Sequence, residues 1–404
     1  MRICFVSRRF FPAISGMSIY AINLLRQLVA AGHDVTMISQ YYGDPARARV
    51  YGGGPPPDVA GVHVVGLEAL GEQAGGDFER DVDAIVAAIT AEHARTPFDV
   101  LHAQYGYPTG WATLLAAQAL GLPCVVSIQG GDGHWVGSCC DTHRIAMERV
   151  LANANALLIG GTSFAQEVHE RLGTPLARFT IVPGAVDTER FTPPAVSRPA
   201  NGPVRLFYHG RVDRRKGVLD MLHALSAVEG EWQCTVSGIG PDYDAARALA
   251  ADLELADRVT FSGYADYDTV PALYREHDVF VSPTYAEGFS NTILEAMASG
   301  QAVLSCRSVG VVDCIRDSEN GLLVEPGDVA AQATALSSLV NDDGLRHRLA
   351  DAALIECRRT YSWHTVGRQI MAIYDRVRAA PPPTGLSAAI PMHPCRFRSE
   401  PHLL

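Results

Sequence analysis

The chain has 404 residues, 48% of them apolar and 19% charged, with a formal net charge of −11. Against a prior of about 150 residues per domain, this length predicts at least two hydrophobic cores. No apolar run reaches the roughly 18 residues of a membrane-spanning helix, and the acidic balance argues against nucleic acid, whose binders carry a basic face.

Met1 leads straight into an apolar strand rather than a signal peptide, so the chain reads as cytoplasmic. Its bulk charge offers anionic lipid no attraction, although the local pair Arg8-Arg9 leaves room for peripheral association with the inner face of a membrane. The nine cysteines form no CxxC pair. Cys4, Cys124, Cys234 and Cys306 sit in apolar runs and are expected as small core fillers with reduced thiols. The adjacency of Cys139 and Cys140 argues against a disulfide or a metal site there.

In chain order, short apolar runs alternate with helical periodicity, the signature of βαβ units around parallel sheets. Strands are predicted at 3–7, 35–39, 62–66, 100–104, 124–129 and 156–160, with helix faces such as Ile22, Leu25 and Val29 between them. A proline-rich linker at 191–203 separates this first domain, 1–190, from a second at 204–362. There, strands are predicted at 205–209, 234–238, 259–263, 279–283, 302–306 and 322–324. An amphipathic helix carrying Ile370 and Ile373 occupies 363–380, and the aperiodic 381–404 is expected as a disordered tail. The prediction is an α/β protein of two doubly wound Rossmann-like domains facing across a cleft, with ligands beyond the carboxyl ends of the strands.

Several Gly- and charge-rich segments fall at those strand ends. Ser15-Gly16 follows the first strand, where glycine permits close backbone approach to a ligand; a plain helix entry explains it nearly as well. Gly210-Arg211-Val212-Asp213-Arg214-Arg215-Lys216-Gly217 sets cations after a strand-end turn. A solvated basic loop accounts for Arg214 and Arg215, but less well for Arg211 and Lys216, which suit phosphate oxygens. Gly238-Ile239-Gly240 is a G-x-G turn found in many folds. Glu287-Gly288-Phe289-Ser290-Asn291-Thr292-Ile293-Leu294-Glu295 opens a helix whose first amides favour an anion. A phosphate held by those amides would repel a carboxylate, so Glu287 and Glu295 suit sugar hydroxyls nearby. Asp81-Val82-Asp83 has the D-x-D form of a metal motif, but Val82 belongs to an apolar helix face, so both aspartates are expected in solvent. The scattered histidines lack the spacing of a zinc helix, and no metal site is expected.

The run 287–295 and the segment 210–217 together resemble the E-x7-E and Gly-Arg…Lys-Gly segments of retaining glycosyltransferases of family 4, which have the two-domain GT-B fold. The resemblance covers about residues 1–380 and is strongest from 205 to 326. It implies that Arg211 and Lys216 bind the donor diphosphate and offset the charge of its departure. Glu287 would lie near the donor's anomeric carbon and Glu295 would hold the ribose hydroxyls. Gly288, Phe289, Ser290, Asn291, Thr292, Gly238 and Gly16 would complete the donor site, and the helix at 363–380 would return to the first domain. The implied reaction is metal-independent transfer from a nucleotide-diphosphate sugar, UDP-linked by default as the commonest donor, to an unidentified hydroxyl acceptor, as in cell-surface polysaccharide or glycoconjugate synthesis. No cofactor beyond that co-substrate is implied.

The first domain departs from the family. Gln104 and Gln129 stand where histidines are usual, and Gln cannot titrate. Asp132, Gln129 and His134 remain candidates for sugar or acceptor contacts, Ser15-Gly16 replaces paired glycines, and Pro183-Gly184-Ala185 alters another family segment. Two rivals stay open: a nucleotide-sugar epimerase of the same architecture, and a non-catalytic nucleotide-sugar binding protein. The sugar, the base, the acceptor and the oligomeric state are not legible.

Overall fold

A computed structural model of the chain describes residues 1–44, 52–73, 76–130, 139–195, 202–391, 393 and 395. These gather into two units, Met1–Pro183 with Val366–Leu404, and Gly184–Thr365. The first unit holds a wholly parallel sheet of β1 (Arg2–Ser7), β2 (Asp34–Tyr41), β3 (Val62–Glu68), β4 (Val100–Gln104), β5 (Cys124–Ile128), β6 (Ala156–Ile159) and β7 (Phe179–Ile181). Its order is β3-β2-β1-β4-β5-β6-β7. Ile3, Cys4, Phe5 and Val6 are all fully buried, as expected of a parallel strand covered on both faces, which reads as a continuous apolar run. β7 was not foreseen: it has three residues at a sheet edge, none fully buried.

The second sheet contains β8 (Val204–His209), β9 (Trp232–Ser237), β10 (Val259–Gly263), β11 (Val279–Ser282), β12 (Ala302–Cys306) and β13 (Leu322–Val324). Its order, β10-β9-β8-β11-β12-β13, repeats the doubly wound pattern of the first, again all parallel. The period of two divides its strands between two cores. Leu206, Tyr208, Val279 and Val281 face one, and Phe207, Phe280 and Val303 face the other. Cys4, Cys124, Cys234 and Cys306 are buried strand residues, and among the described residues no disulfide occurs.

Four local expectations need correction. Phe191, placed at the start of the linker, is buried in the second unit with its ring 5.5 Å from that of Tyr274. Arg8 is no surface cation: it is buried in a 2.6 Å ion pair with Glu72 and lies over the Phe78 and Tyr105 rings. Burial would lift the Glu72 carboxyl, but the charges of Arg8 and Arg9, with hydrogen bonds from Tyr42 and Arg8, hold it below the usual range. Asp81 is not solvated either. It is buried and accepts 2.8 Å hydrogen bonds from the Gly71 and Glu72 amides, which open the short helix Leu70–Gln73, while Asp83 is exposed.

The fourth correction concerns the tail. The helix Trp363–Val377 places Val366, Ile370 and Tyr374 in the first unit's interior, where the Tyr374 hydroxyl lies 2.5 Å from His102 Nδ1. Beyond it the chain forms no helix or strand among its described residues, yet it is tied down. The Leu386 amide donates to Gln118 Oε1 at 2.6 Å, and Gln118 Nε2 donates back to the Leu386 carbonyl at 3.0 Å. Side-chain partners elsewhere in the unit replace secondary structure, and these leave no periodic trace in the tail's own sequence.

Candidate donor site

In a doubly wound sheet the loops after the two central strands diverge, opening a crevice at the switch in strand order. In the second unit that switch lies between β8 and β11. The segment 210–217 follows β8 and the run 287–295 follows β11, so the topology brings together residues more than 70 positions apart in sequence. Their closest approach is the 2.6 Å pair between Lys216 Nζ and Glu287 Oε1, with both side chains partly exposed. The two loops are also fastened by the Tyr285 amide, which donates to the Arg215 carbonyl at 3.1 Å. Gly217, at φ +70°, lies under this contact: a Cβ there would sit 2.0 Å from the Pro283 carbonyl oxygen.

The cations of 210–217 separate by partner. Arg214 is held by Asp242 at 2.7 Å, and Arg215 donates to Asp213 at 2.7 Å. Arg211 Nε lies 3.4 Å from Asp213 Oδ2, with its side chain 40% exposed. Burial would raise the Asp213 carboxyl, but hydrogen bonds from Arg215 and the charges of Arg215 and Arg211 hold it below the usual carboxylate range. Asp213 therefore stays ionised and orients two guanidinium groups. Nothing in the sequence marks Asp213, because an acid among three arginines resembles ordinary solubilising charge.

Gly238 meets this loop from the end of β9. At φ +139° its missing Cβ would fall 1.8 Å from the Gly210 carbonyl oxygen. The first glycine of the G-x-G turn thus lets two strand-end loops pack, whatever it contributes to a ligand.

The helix Asn291–Ala298 begins after Ser290, whose side chain makes no capping hydrogen bond to it. Asn291 and Thr292 are partly exposed at its start, and Gly288 and Ser290 are buried. Phe289 packs its ring 5.7 Å from Tyr361 and over Gly184. Glu295, on the helix's buried face, accepts a 3.0 Å hydrogen bond from the Tyr274 hydroxyl. Burial pushes its pKa up to about 7, against the lowering effects of that hydrogen bond and of Arg190. Tyr274 went unnoticed in the sequence because it lies 21 residues upstream on a separate element.

In the first unit the corresponding switch lies between β1 and β4. Gly16 is the first residue of the helix Gly16–Ala30, capped by Ser15, whose side chain accepts from the Ser18 amide at 3.3 Å. Gln104 is buried; its Oε1 accepts from Ser7 at 2.8 Å, and its Nε2 donates to the Met17 carbonyl at 3.0 Å and to Gln129 Oε1 at 3.3 Å. The two glutamines at family histidine positions therefore touch each other. Neighbouring His102 has Nδ1 against Tyr374 and Nε2 2.8 Å from Ser127, and burial lowers its pKa to about 3. Asp132 and His134 lie outside the described residues.

The same division appears in comparisons with known proteins. The "Glycosyl transferase 4-like domain" family matches residues 15–185, and "Glycosyl transferases group 1" matches residues 190–354. The chain is a glycosyltransferase that carries these two domain families in turn. It is 27% identical to a glycogen synthase of Mycobacterium tuberculosis over 93% of this chain and 94% of that one. Sucrose-phosphate synthase from Thermosynechococcus elongatus superposes with a TM-score of 0.79 at 24% identity, covering 94% of this chain and 99% of that structure. Anabaena HepE, solved in complex with UDP and glucose, gives 0.71 at 15% identity over 93% and 100% of the two chains. This glycosyltransferase has the GT-B fold of two Rossmann-like α/β units expected from its motifs.

Proposed function

We propose that this glycosyltransferase moves a sugar from a nucleotide-diphosphate donor, UDP-linked by preference, to a hydroxyl acceptor with retention of anomeric configuration and without a divalent metal. The observation that carries this reading is the meeting of Lys216 and Glu287 at 2.6 Å beside the β8–β11 switch, with Arg211 on the same loop. Arg211 and Lys216 supply the positive charge for the leaving diphosphate that a metal would otherwise give. The Glu287 carboxylate keeps Lys216 in place before the donor binds and stabilises positive charge at the anomeric carbon as that bond breaks. Glu295 and the helix start at Asn291 receive the nucleoside end, its ribose hydroxyls donating to the carboxylate.

Retention follows from attack on the face the phosphate leaves, with the departing phosphate oxygen taking the acceptor's proton. Such a step requires no titrating protein base. The non-titrating pair Gln104 and Gln129 and the doubly engaged His102 are compatible with that requirement. A polysaccharide, lipid-linked or small-molecule acceptor would be chosen by the first unit. HepE's complex with UDP and glucose supports the donor class.

The test is a panel of nucleotide sugars with and without EDTA, followed by nuclear magnetic resonance of the product's anomeric proton. Retained configuration and turnover that Mg2+ neither restores nor raises are expected. An inverted product, or activity that requires added Mg2+, would reject the reading. Acceptor-independent release of free nucleotide with a changed sugar would favour the epimerase.

A further inference from the structure

Cys139 and Cys140 precede the helix Asp141–Asn153, His143 lies in its first turn, and Cys395 belongs to the terminal segment. The three Sγ atoms and an imidazole nitrogen all lie within 4.8 Å of one another. His143 Nδ1 is 3.2 Å from Cys139 Sγ and 3.5 Å from Cys395 Sγ. In a tetrahedral zinc site, with Zn–S near 2.3 Å and Zn–N near 2.0 Å, neighbouring donor atoms stand roughly 3.5–3.8 Å apart. The cluster is already close to that size. We propose that Cys139, Cys140, His143 and Cys395 form a closed, four-ligand structural site for Zn2+ that fastens the C-terminal segment to the first unit.

The surroundings suit a preorganised ligand set. His143 is fully buried, with its ring 4.4 Å from Tyr107 and 5.5 Å from Phe78, so its orientation is fixed by packing. Cys140 is the N-cap of the helix, its sulfur accepting from the His143 amide at 3.5 Å. Thr142, between the two, aims the terminal segment: its Oγ1 donates to the Pro391 carbonyl and accepts from the His393 amide, both at 2.8 Å. Cys395 then arrives buried, and the described residues of this terminal segment form no helix or strand. Three sulfurs and one imidazole are a soft donor set that selects zinc over magnesium or calcium. With four protein ligands no position remains for water or substrate, so the role is structural. Metal binding would release the thiol protons to solvent and contribute directly to folding. Adjacent cysteines looked unpromising in the sequence because the other two ligands come from a helix turn and from the far end of the chain.

The experiment uses untagged full-length protein, purified under reducing conditions and analysed for metal, beside Cys395→Ser and His143→Ala. The wild type should carry about one Zn2+ per chain. Replacement with Co2+ should give the thiolate charge-transfer and visible absorption of a tetrahedral centre. Cys395→Ser, altered in the terminal segment and checked for folding by circular dichroism, should lose more than about tenfold in zinc content. It should also free residues 381–404 for proteolysis, as chelation should in the wild type. Zinc content unchanged in folded Cys395→Ser would overturn the proposal. So would a metal-free wild type, or a disulfide between two of these cysteines in protein kept reduced.

Discussion

Glu295 is a carboxyl taken out of water, and its pKa of about 7 against an ordinary 4.5 has consequences for stability and for binding. A raised folded-state pKa means that the folded protein holds a proton the unfolded chain has released. The stabilisation is complete below the unfolded value near 4.5 and is lost as pH rises through about 7. Glu295→Gln should therefore flatten the pH dependence of stability across that window, measured by urea unfolding at several pH values. Donor binding should run the other way, because ribose hydroxyls donate to the carboxylate. Affinity should rise with pH through about 7 in the wild type and not in the variant. Tyr274→Phe removes a hydrogen bond that favours the charged form, so donor affinity near neutrality should drop by about tenfold. An unchanged calorimetric titration would detach Tyr274 from the site. Glu295 was legible in the sequence because its motif is contiguous, whereas Tyr274 and Asp213 act through contacts that spacing does not encode.

Strand-end loops are the elements on which the site depends, and their packing was only half visible in the sequence. The strands themselves were legible because parallel strands covered on both faces read as unbroken apolar runs; β7, short and partly exposed, lacks that signal. The family resemblance counts Gly238 in the donor site, and in the structure it lets the strand-end loop pass closely over Gly210. Gly238→Ala combines a disallowed φ with a backbone clash and should lower second-unit stability by more than about 2 kcal/mol, seen as an earlier denaturation midpoint. In the first unit the buried pair of Arg8 and Glu72 is the comparable vulnerability. Glu72→Ala leaves a guanidinium unpaired in the interior and should destabilise by about 3–5 kcal/mol. An exposed Arg8 would have predicted no effect at all.

At the scale of the whole molecule, one strand order is used twice, and the proposed donor-site residues gather at the switch of the second sheet. That repetition was legible from alternating periodicities. The extent of each unit was not, because Phe191 and the terminal segment are placed by tertiary partners. Deleting residues 381–404 should accordingly lower the thermal midpoint of the first unit, and an unchanged midpoint would mean that the segment is not anchored. In the proposed reaction the charge of Glu287 acts on the reacting sugar while the neighbouring cations hold the diphosphate. Steady-state kinetics of Glu287→Gln, paired with calorimetric UDP affinity, tests it most directly. The variant keeps the shape, loses the charge and releases Lys216 from its ion pair. Turnover should fall at least about a hundredfold while UDP binds as well as before or better. Full turnover in Glu287→Gln, or a matching loss of UDP affinity, would rule out this division of roles between Glu287 and the cations.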